Sequence, residues 1–419
     1  MTLTPPENRP PPAAATPFLG LAPFLRMSIA GTDLRPIGHQ MLSELEAKSD
    51  DANLWMNLSI LMLCIGEHAM GLTFQQQALA LQRVFHIAAS EQPAKRRLLM
   101  LMVPGDLAAN TPLECLLEHG DIDLDFYYVT PGNPLAEPLP EHDALIVCIS
   151  EAGDNQALLQ TLAQLLADWP RPVINAPAHI PSVGRATASQ LLQEVPGLRM
   201  PPTLRASRAA LQAVASGAAR LSERFEACDF PVIVRPLKSH GGHDLDKISN
   251  AEEMASYLAR VDEPEFYLSP FIDYSAQDGQ FRKMRVALID GVPFACHMAV
   301  SSHWMVHYVN AGMYEEAWKR EEEIAFMETF ADFAQRHQGA LAAIAQRTQL
   351  DYLCLDCAQT PDGQLLIFEI DHAMVVHAMD LPQLFPYKQT HMLKVKQAFR
   401  DALLRRTAAA TATNLLNQP

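Results

Sequence analysis

The strongest constraint on the fold is an alternation of apolar strand-like runs with helix-like segments between residues 97 and 180. The runs RLLMLMV, LDFYYV and DALIVCIS have the length and composition of buried strands, whereas NQALLQTLAQLLADW repeats apolar residues at helical spacing. This alternation is typical of a mostly parallel sheet, because helices have to connect parallel strands. We therefore predict an α/β domain over residues 96–182.

The segment before this domain has a different pattern. Residues 18–95 repeat apolar side chains three to four apart, which predicts a small all-α domain. Six residues stand at the offsets of one tetratricopeptide repeat, namely Trp55, Leu58, Ser59, Met62, Gly71 and Ala78. Arg83 occupies the place of the closing proline, so a helical hairpin is the first interpretation. Prolines make residues 1–17 a flexible leader, and residues 406–419 are expected to be a flexible tail.

Charge and composition exclude several classes of function. The formal net charge of −16 disfavours binding to nucleic acids and to anionic membranes. No apolar stretch is long enough for a membrane span, and the start of the chain lacks the apolar core of a secretory signal. The seven cysteines lie in apolar runs rather than in a disulfide framework. A cytoplasmic protein with reduced thiols is expected.

The sequence PVIVRPLKSHGGHDLDKI at 231–248 combines cations with flexible glycines. An apolar strand carries Arg235, and Lys238 follows before Gly241 and Gly242. Glycines let backbone N–H groups approach phosphate oxygens closely, because they have no Cβ. An ordinary Gly-Gly hairpin loop is the alternative interpretation.

A predicted hairpin at 351–371 carries three carboxylates. Asp356 lies in its first strand, and Glu369 and Asp371, two residues apart, share one face of the second strand. Carboxylates on one face suit Mg²⁺, which prefers oxygen ligands and usually shares them with nucleotide phosphates. A solvated polar face is the alternative, but the neighbouring side chains are strongly apolar.

Residues 278–313 are rich in cations and histidines. Arg285, on a predicted strand, can bind a phosphate or a carboxylate with two hydrogen bonds. His307 is our candidate general base on residue type, and Asn310 lies in the same stretch. A substrate pocket is the favoured interpretation, with the part from His297 to Asn310 facing the substrate.

Taken in order along residues 97–395, these motifs resemble the ATP-grasp superfamily, nearest to glutathione synthetase and the glutamate-adding ribosomal-protein ligases. The resemblance implies an α+β, ATP-grasp fold in which two lobes clamp a nucleotide, over residues 183–405. A Rossmann-like domain and the small all-α domain would precede it.

The resemblance also implies roles for individual residues. Arg185 and Arg235 stand where the family usually has phosphate-binding lysines, and Lys238 would support them. Gly241 and Gly242 match the lid loop. Asp356, Glu369 and Asp371 match the Mg²⁺ ligands, and Arg285 matches the arginine that holds the transferred phosphoryl group. The segment that matches the adenine-binding hinge comprises Ser269, Phe271, Ile272 and Asp273.

The expected function is an ATP-dependent carboxylate–amine ligase that uses ATP and Mg²⁺ and acts through an acyl phosphate. Its substrates would be small molecules or peptides. The sequence leaves open whether a peptide or protein partner binds the helical domain and whether the protein forms a homodimer. Two alternatives remain: a small-molecule kinase of the same fold, and a non-catalytic peptide-binding adaptor with a degenerate nucleotide lobe.

Overall fold

The computed structural model describes residues 16–416, except 131, 137, 227, 238 and 240. Its first helices are α1 (Ala22–Ile29), α2 (Arg35–Ala47), α3 (Ala52–Cys64) and α4 (His68–Leu81). Helix α3 begins where the Asp51 side chain accepts a hydrogen bond from the backbone N–H of Leu54. A Cβ at Gly71 would lie only 2.8 Å from the Leu63 side chain, so this glycine lets α3 and α4 pack closely. The predicted helical hairpin is confirmed, and the tetratricopeptide likeness stays a prediction.

The predicted α/β layer is a five-stranded sheet with the order β1-β3-β2-β4-β5. Its strands are β1 (Val84–Ile87), β2 (Arg96–Met102), β3 (Ile122–Tyr128), β4 (Ala144–Val147) and β5 (Val173–Ile174). Strands β2 to β5 are parallel and β1 is antiparallel. Helices α5 (Leu113–Leu117) and α6 (Gln156–Leu165) belong to this layer, and α7 (Arg185–Leu191) with the short strand β6 (Leu198–Arg199) follows it.

Residues 204–270 form a lobe around an antiparallel sheet with the order β7-β10-β8-β9. The strands are β7 (Leu204–Ser207), β8 (Val232–Pro236), β9 (Asp246–Ile248) and β10 (Glu265–Pro270), and the helices are α8 (Arg208–Ala215), α9 (Leu221–Arg224) and α10 (Ala251–Arg260). This lobe, which we call the middle lobe, has a hydrophobic core of its own.

The third sheet has the order β12-β11-β13-β14-β6. Its strands are β11 (Phe281–Ile289), β12 (Val292–Ser301), β13 (Tyr352–Gln359) and β14 (Leu365–Asp371). The predicted turn between β13 and β14 is present: Gly363 has a φ of +85° and donates a backbone hydrogen bond to Thr360. Three helices lie between β12 and β13: α11 (Ala317–Glu328), α12 (Phe330–Arg336) and α13 (Gln338–Thr348).

Helix α14 (Lys388–Leu416) joins the first and third sheets. Its Arg400 pairs with Asp121 beside the first sheet at 2.6 Å, and its Arg406 pairs with Asp351 before β13 at 2.6 Å. The tail expected at 406–419 is thus helical as far as Leu416. The first and third sheets also share two hydrophobic cores, to which the middle lobe does not contribute.

The fold class is mixed α+β, as predicted. The antiparallel middle lobe faces a lobe built on the third sheet, in which only the β14–β6 pair is parallel, and both follow a mostly parallel α/β layer and a small helical domain. In the described part of the chain, no helix has the length and apolarity needed to cross a bilayer. The described cysteines are free, as expected.

Candidate active site

The middle lobe and the third sheet enclose a cleft of about 310 Å³. It receives side chains from both lobes and from α7, although these segments are far apart in the sequence. Eleven of the predicted site residues line it: Arg185, Arg235, Gly241, Gly242, Ser269, Phe271, Ile272, Arg285, His307, Asp356 and Glu369. The cationic glycine loop and the carboxylate hairpin therefore face one another, as the sequence interpretation required.

A row of polar residues crosses four strands on the third-sheet side. His297 is the register partner of Arg285, Arg285 of Asp356, and Asp356 of Glu369. Register shifts adjoin this row, between Arg285 and Val286 and between Asp356 and Cys357. Such irregularities change the direction in which the neighbouring side chains point, and they are frequent beside active sites.

Asp356 is the electrostatic centre of the row. Its carboxylate is 3% exposed and accepts bonds from Arg285 Nε at 2.8 Å and from Arg285 Nη2 at 3.1 Å. Lys283 Nζ lies 2.7 Å from the same carboxylate. Burial alone would raise the pKa of Asp356, but the two cations hold it well below its usual range. Two cations around one carboxylate leave a net positive charge, which favours an anionic ligand.

The middle-lobe side of the cleft supplies further positive charge. Arg235 is buried on β8, where its guanidinium donates to the hydroxyl and the carbonyl of Ser239. Burial, followed by repulsion from Arg185, lowers the pKa of Arg235 to about 10, so it remains charged at neutral pH. Arg185 itself pairs with Glu369. The salt bridge from α7 to β14 thus closes one wall of the cleft.

The glycine loop contacts the candidate base. Gly242 has a φ of +77°, and a Cβ there would lie 3.2 Å from Nε2 of His307. Burial, helped by repulsion from Lys283, lowers the pKa of His307. The imidazole is therefore neutral at pH 7 and can accept a proton.

The hinge end of the cleft is apolar. The Phe271 ring contacts Trp304 edge-on with centroids 5.7 Å apart, and Lys247 Nζ lies 3.7 Å from the Phe271 centroid. Ile272 and Phe368 add to this wall. The backbone N–H of Phe271 is already bonded to the Pro231 carbonyl. An apolar slot beside a cationic wall matches a ligand with a flat aromatic end and an anionic end.

Four predicted site residues are not placed in the cleft. Lys238 lies outside the described residues. Asp273 is exposed and accepts a hydrogen bond from the backbone N–H of Ser275, and Asn310 is exposed in a 3₁₀ turn. Asp371 shares the strand of Glu369 but lies at its end, away from the cleft lining.

The three predicted metal ligands are therefore not brought together. Within the described ranges, no three His, Cys, Asp or Glu side chains are grouped closely enough to hold a metal ion. Mg²⁺ commonly takes only one or two protein carboxylates and completes its shell with phosphates and water. Asp356 and Glu369 supply that number of carboxylates, but Lys283, Arg285 and Arg185 pair with them in this structure, so Mg²⁺ would share these carboxylates with the cations.

Two cations of the site were not singled out from the sequence. Lys283 belongs to the same strand face as Arg285, and this i, i+2 spacing would have revealed it. Lys247 follows the glycine loop on β9, and no local pattern marks it.

Behind the row, a buried network fixes the loop that carries His307. Glu323 is fully buried and accepts bonds from Tyr308 at 2.9 Å and from Tyr387 at 2.6 Å. Lys388 lies 3.4 Å from Glu323 and 3.2 Å from Asp380. Lys388, the first residue of α14, is thus an interior residue.

Several solved structures are similar to this chain. A D-alanine–D-alanine ligase from Bacillus anthracis complexed with ATP matches 75% of this chain and 99% of its own, with 13% identity and a TM-score of 0.47. A RimK domain protein ATP-grasp from Sphaerobacter thermophilus matches 74% of this chain and 99% of its own, with 15% identity and a TM-score of 0.40. D-cycloserine synthetase DcsG matches 73% of this chain and 99% of its own, with 14% identity and a TM-score of 0.41.

No protein-family model matches the sequence, and no curated protein does so. Because the TM-scores of the three solved structures lie below 0.5, only the residues of the cleft carry the functional proposal.

Proposed function

We propose that this protein is an ATP-dependent ligase that joins a carboxylate to an amine through an acyl phosphate. The observation that supports this most is the convergence, on one cleft, of six basic or acidic residues from four separate segments: Arg185, Arg235, Lys283 with Arg285, and the Asp356–Glu369 pair. A cleft lined by these charged side chains can neutralise the negative charge that accumulates on the phosphoryl group during its transfer.

The nucleotide would lie along the cleft. Phe271 and Ile272 form the apolar slot for the adenine, and Arg235 with the glycine loop meets the phosphates. Asp356 and Glu369 would hold Mg²⁺, which neutralises phosphate charge when bound. Arg285, positioned by its two hydrogen bonds to Asp356, is placed to contact the transferred phosphoryl group.

The reaction has two steps. A substrate carboxylate oxygen attacks the γ-phosphorus, the bond between the γ-phosphorus and the β–γ bridging oxygen breaks, and ADP leaves. The amine nitrogen then attacks the acyl carbon, the carbon–oxygen bond to phosphate breaks, and inorganic phosphate leaves. His307, kept neutral by its surroundings, takes the proton that the amine loses.

A screen of acids and amines for ADP release tests the proposal, with the products examined by mass spectrometry. We expect ADP, phosphate and an amide in equal amounts, and Glu369→Gln should lower turnover at least 100-fold, the scale of losing one charge-stabilising group. Glu369→Gln with full activity would contradict the metal assignment.

The same screen separates the alternatives. A phosphorylated product without an amide would identify a kinase instead. No binding of Mg-ATP in calorimetry would favour the non-catalytic adaptor.

A further inference from the structure

A buried carboxylate behind the polar row ties four segments of the chain together. Glu323, on α11, accepts a hydrogen bond from the backbone N–H of Met298 on β12 at 3.0 Å. The hydroxyl of Tyr308, in the 3₁₀ turn that follows β12, donates to the same carboxylate at 2.9 Å. The hydroxyl of Tyr387, just before α14, donates to it at 2.6 Å. Three donors on a fully buried carboxylate fix the segments that carry them.

Lys388 supplies the counter-charge and holds Tyr308 in place. Its Nζ lies 3.4 Å from Glu323 and 3.2 Å from Asp380, and its side chain is buried. The ammonium donates to the Tyr308 hydroxyl and lies 3.9 Å from the centroid of the Tyr308 ring, with the Phe385 centroid at 4.7 Å. Tyr308 is therefore held at its hydroxyl by Glu323 and Lys388, and at its ring by the cation.

Tyr308 directly follows the candidate base in the chain. His307 lines the cleft, and its imidazole faces the glycine loop, where a Cβ at Gly242 would lie 3.2 Å from Nε2. The turn adds a backbone hydrogen bond from Asn310 N–H to the His307 carbonyl at 3.0 Å. Val306, the preceding residue, packs in the apolar core. Tyr308 is thus the chain neighbour of His307 whose side chain is fixed by hydrogen bonds.

The network acts on the cleft only through such neighbours. Of the described residues that line the cleft, none belongs to the group Tyr308, Glu323, Asp380, Tyr387 and Lys388. Buried charges give little net stability, because apolar side chains of the same volume often stabilise an interior as well or better. They do impose directional contacts. A proton acceptor needs such contacts, since a displacement of about 1 Å can slow a reaction about 100-fold.

We infer that Tyr308, Glu323 and Lys388 are positioning residues, which hold His307 where it can take the proton of the attacking amine. The inference rests on the proposed function and assigns the network to the second of its two steps. Formation of the acyl phosphate uses the cations of the cleft, which other contacts hold in place. Attack of the amine depends on His307 and therefore on the network behind it.

Two variants form a matched pair for the test. Tyr308→Phe and Tyr387→Phe each remove one hydroxyl that donates to Glu323, but only Tyr308 adjoins His307. Urea unfolding of both variants shows how much stability each loses, so that a lower rate can be distinguished from a loss of folded protein. Glu323→Gln keeps the size of the side chain but weakens its bonds to both tyrosines, and it carries the acceptor comparison described below if Tyr308→Phe does not fold.

The first measurement needs no substrate. The backbone N–H groups of Asn310 and Ala311 bond to the carbonyls of His307 and Tyr308, so their hydrogen exchange in the full chain reports how firmly the turn is held. We expect this exchange to be at least about tenfold faster in Tyr308→Phe than in Tyr387→Phe or the wild type. The amides of the middle lobe should be unchanged in both variants.

The second measurement separates the two steps by the choice of acceptor. The acid that gives the fastest ADP release in the screen is combined with the best amine of that screen or with hydroxylamine, which is uncharged at pH 7 and captures acyl phosphates without a base. Its nitrogen attacks the acyl carbon, phosphate leaves and a hydroxamate forms. We expect Tyr308→Phe to lower kcat with the amine by about tenfold to a hundredfold. The kcat with hydroxylamine and the KM for ATP should stay within about twofold of the wild type, and Tyr387→Phe should do so with both acceptors.

Three results would overturn the inference. These are equal effects of Tyr308→Phe and Tyr387→Phe on the exchange of the turn, a loss with hydroxylamine as large as the loss with the amine, and a Tyr308→Phe enzyme that joins the amine at the wild-type rate. A failure of the ligase proposal looks different. The wild type then releases no ADP with any acid, although the exchange comparison can still show the network holding the turn.

Discussion

Replacing Asp356 with asparagine would test the charge balance on which the cleft depends. Asparagine keeps the shape of the side chain but leaves Lys283 and Arg285 facing a neutral amide. Removing one partner of a buried ion pair costs about 3–5 kcal/mol. The side chains of Lys283 and Arg285 are 22% and 20% exposed, so water offsets part of the lost stability. We therefore expect the free energy of unfolding to fall by about 3 kcal/mol.

Urea unfolding of Asp356→Asn, Lys283→Met and the double variant would measure this. Lys283→Met leaves Asp356 paired with Arg285 and should cost under about 1 kcal/mol. The double variant has only one unpaired cation, so its loss should be smaller than the sum of the single losses by about 1–2 kcal/mol. Asp401→Asn, at a carboxylate that is 56% exposed, is the control and should change stability by less than about 0.5 kcal/mol.

Two results would refute the reasoning. The first is a loss below about 1 kcal/mol for Asp356→Asn, which would mean that the cations do not depend on this carboxylate. The second is strict additivity, which would mean that Lys283 and Asp356 do not interact.

Three other predictions concern pH, the lid and the adenine slot. Because the folded pKa of Asp356 is depressed, its stabilisation is complete above about pH 4 and is lost as the pH falls further, so the stability gap between wild type and Asp356→Asn should narrow in acid titrations. Gly242→Ala should raise the KM for ATP more than Gly241→Ala in steady-state assays, since both positions have positive φ but only Gly242 approaches His307; equal effects would contradict the contact. Phe271→Ala should weaken the affinity for the ATP analogue by about tenfold, the scale of one aromatic–base stack, and an unchanged Kd would remove the slot from the adenine site.

Much of the cleft is visible in the sequence because it depends on strand alternation. Arg285, Asp356 and Glu369 sit on predictable strands, and the pairing of Asp356 with Glu369 follows from the β13–β14 hairpin. The pairing of Arg285 with Asp356 joins β11 to β13, which are separated by β12 and three helices, so it is a tertiary contact. The resemblance to ATP-grasp proteins then placed these residues opposite Arg235 and the glycine loop.

The remaining features depend on tertiary placement. Asp371 has the same alternation as Glu369, but it lies at the strand end, where it meets His372 and the first sheet rather than the cleft. The breaks between α11, α12 and α13 fall at Thr329 and His337, and neither position is a proline or a glycine.

The separate core of the middle lobe has a mechanical consequence. The first and third sheets share their cores and are tied together by α14, so they behave as one platform. The lobe over residues 204–270 is joined to that platform by two chain connections and has a self-contained interior. It can tilt on these connections as an intact body, and a nucleotide can enter or leave without any apolar interior being opened to water.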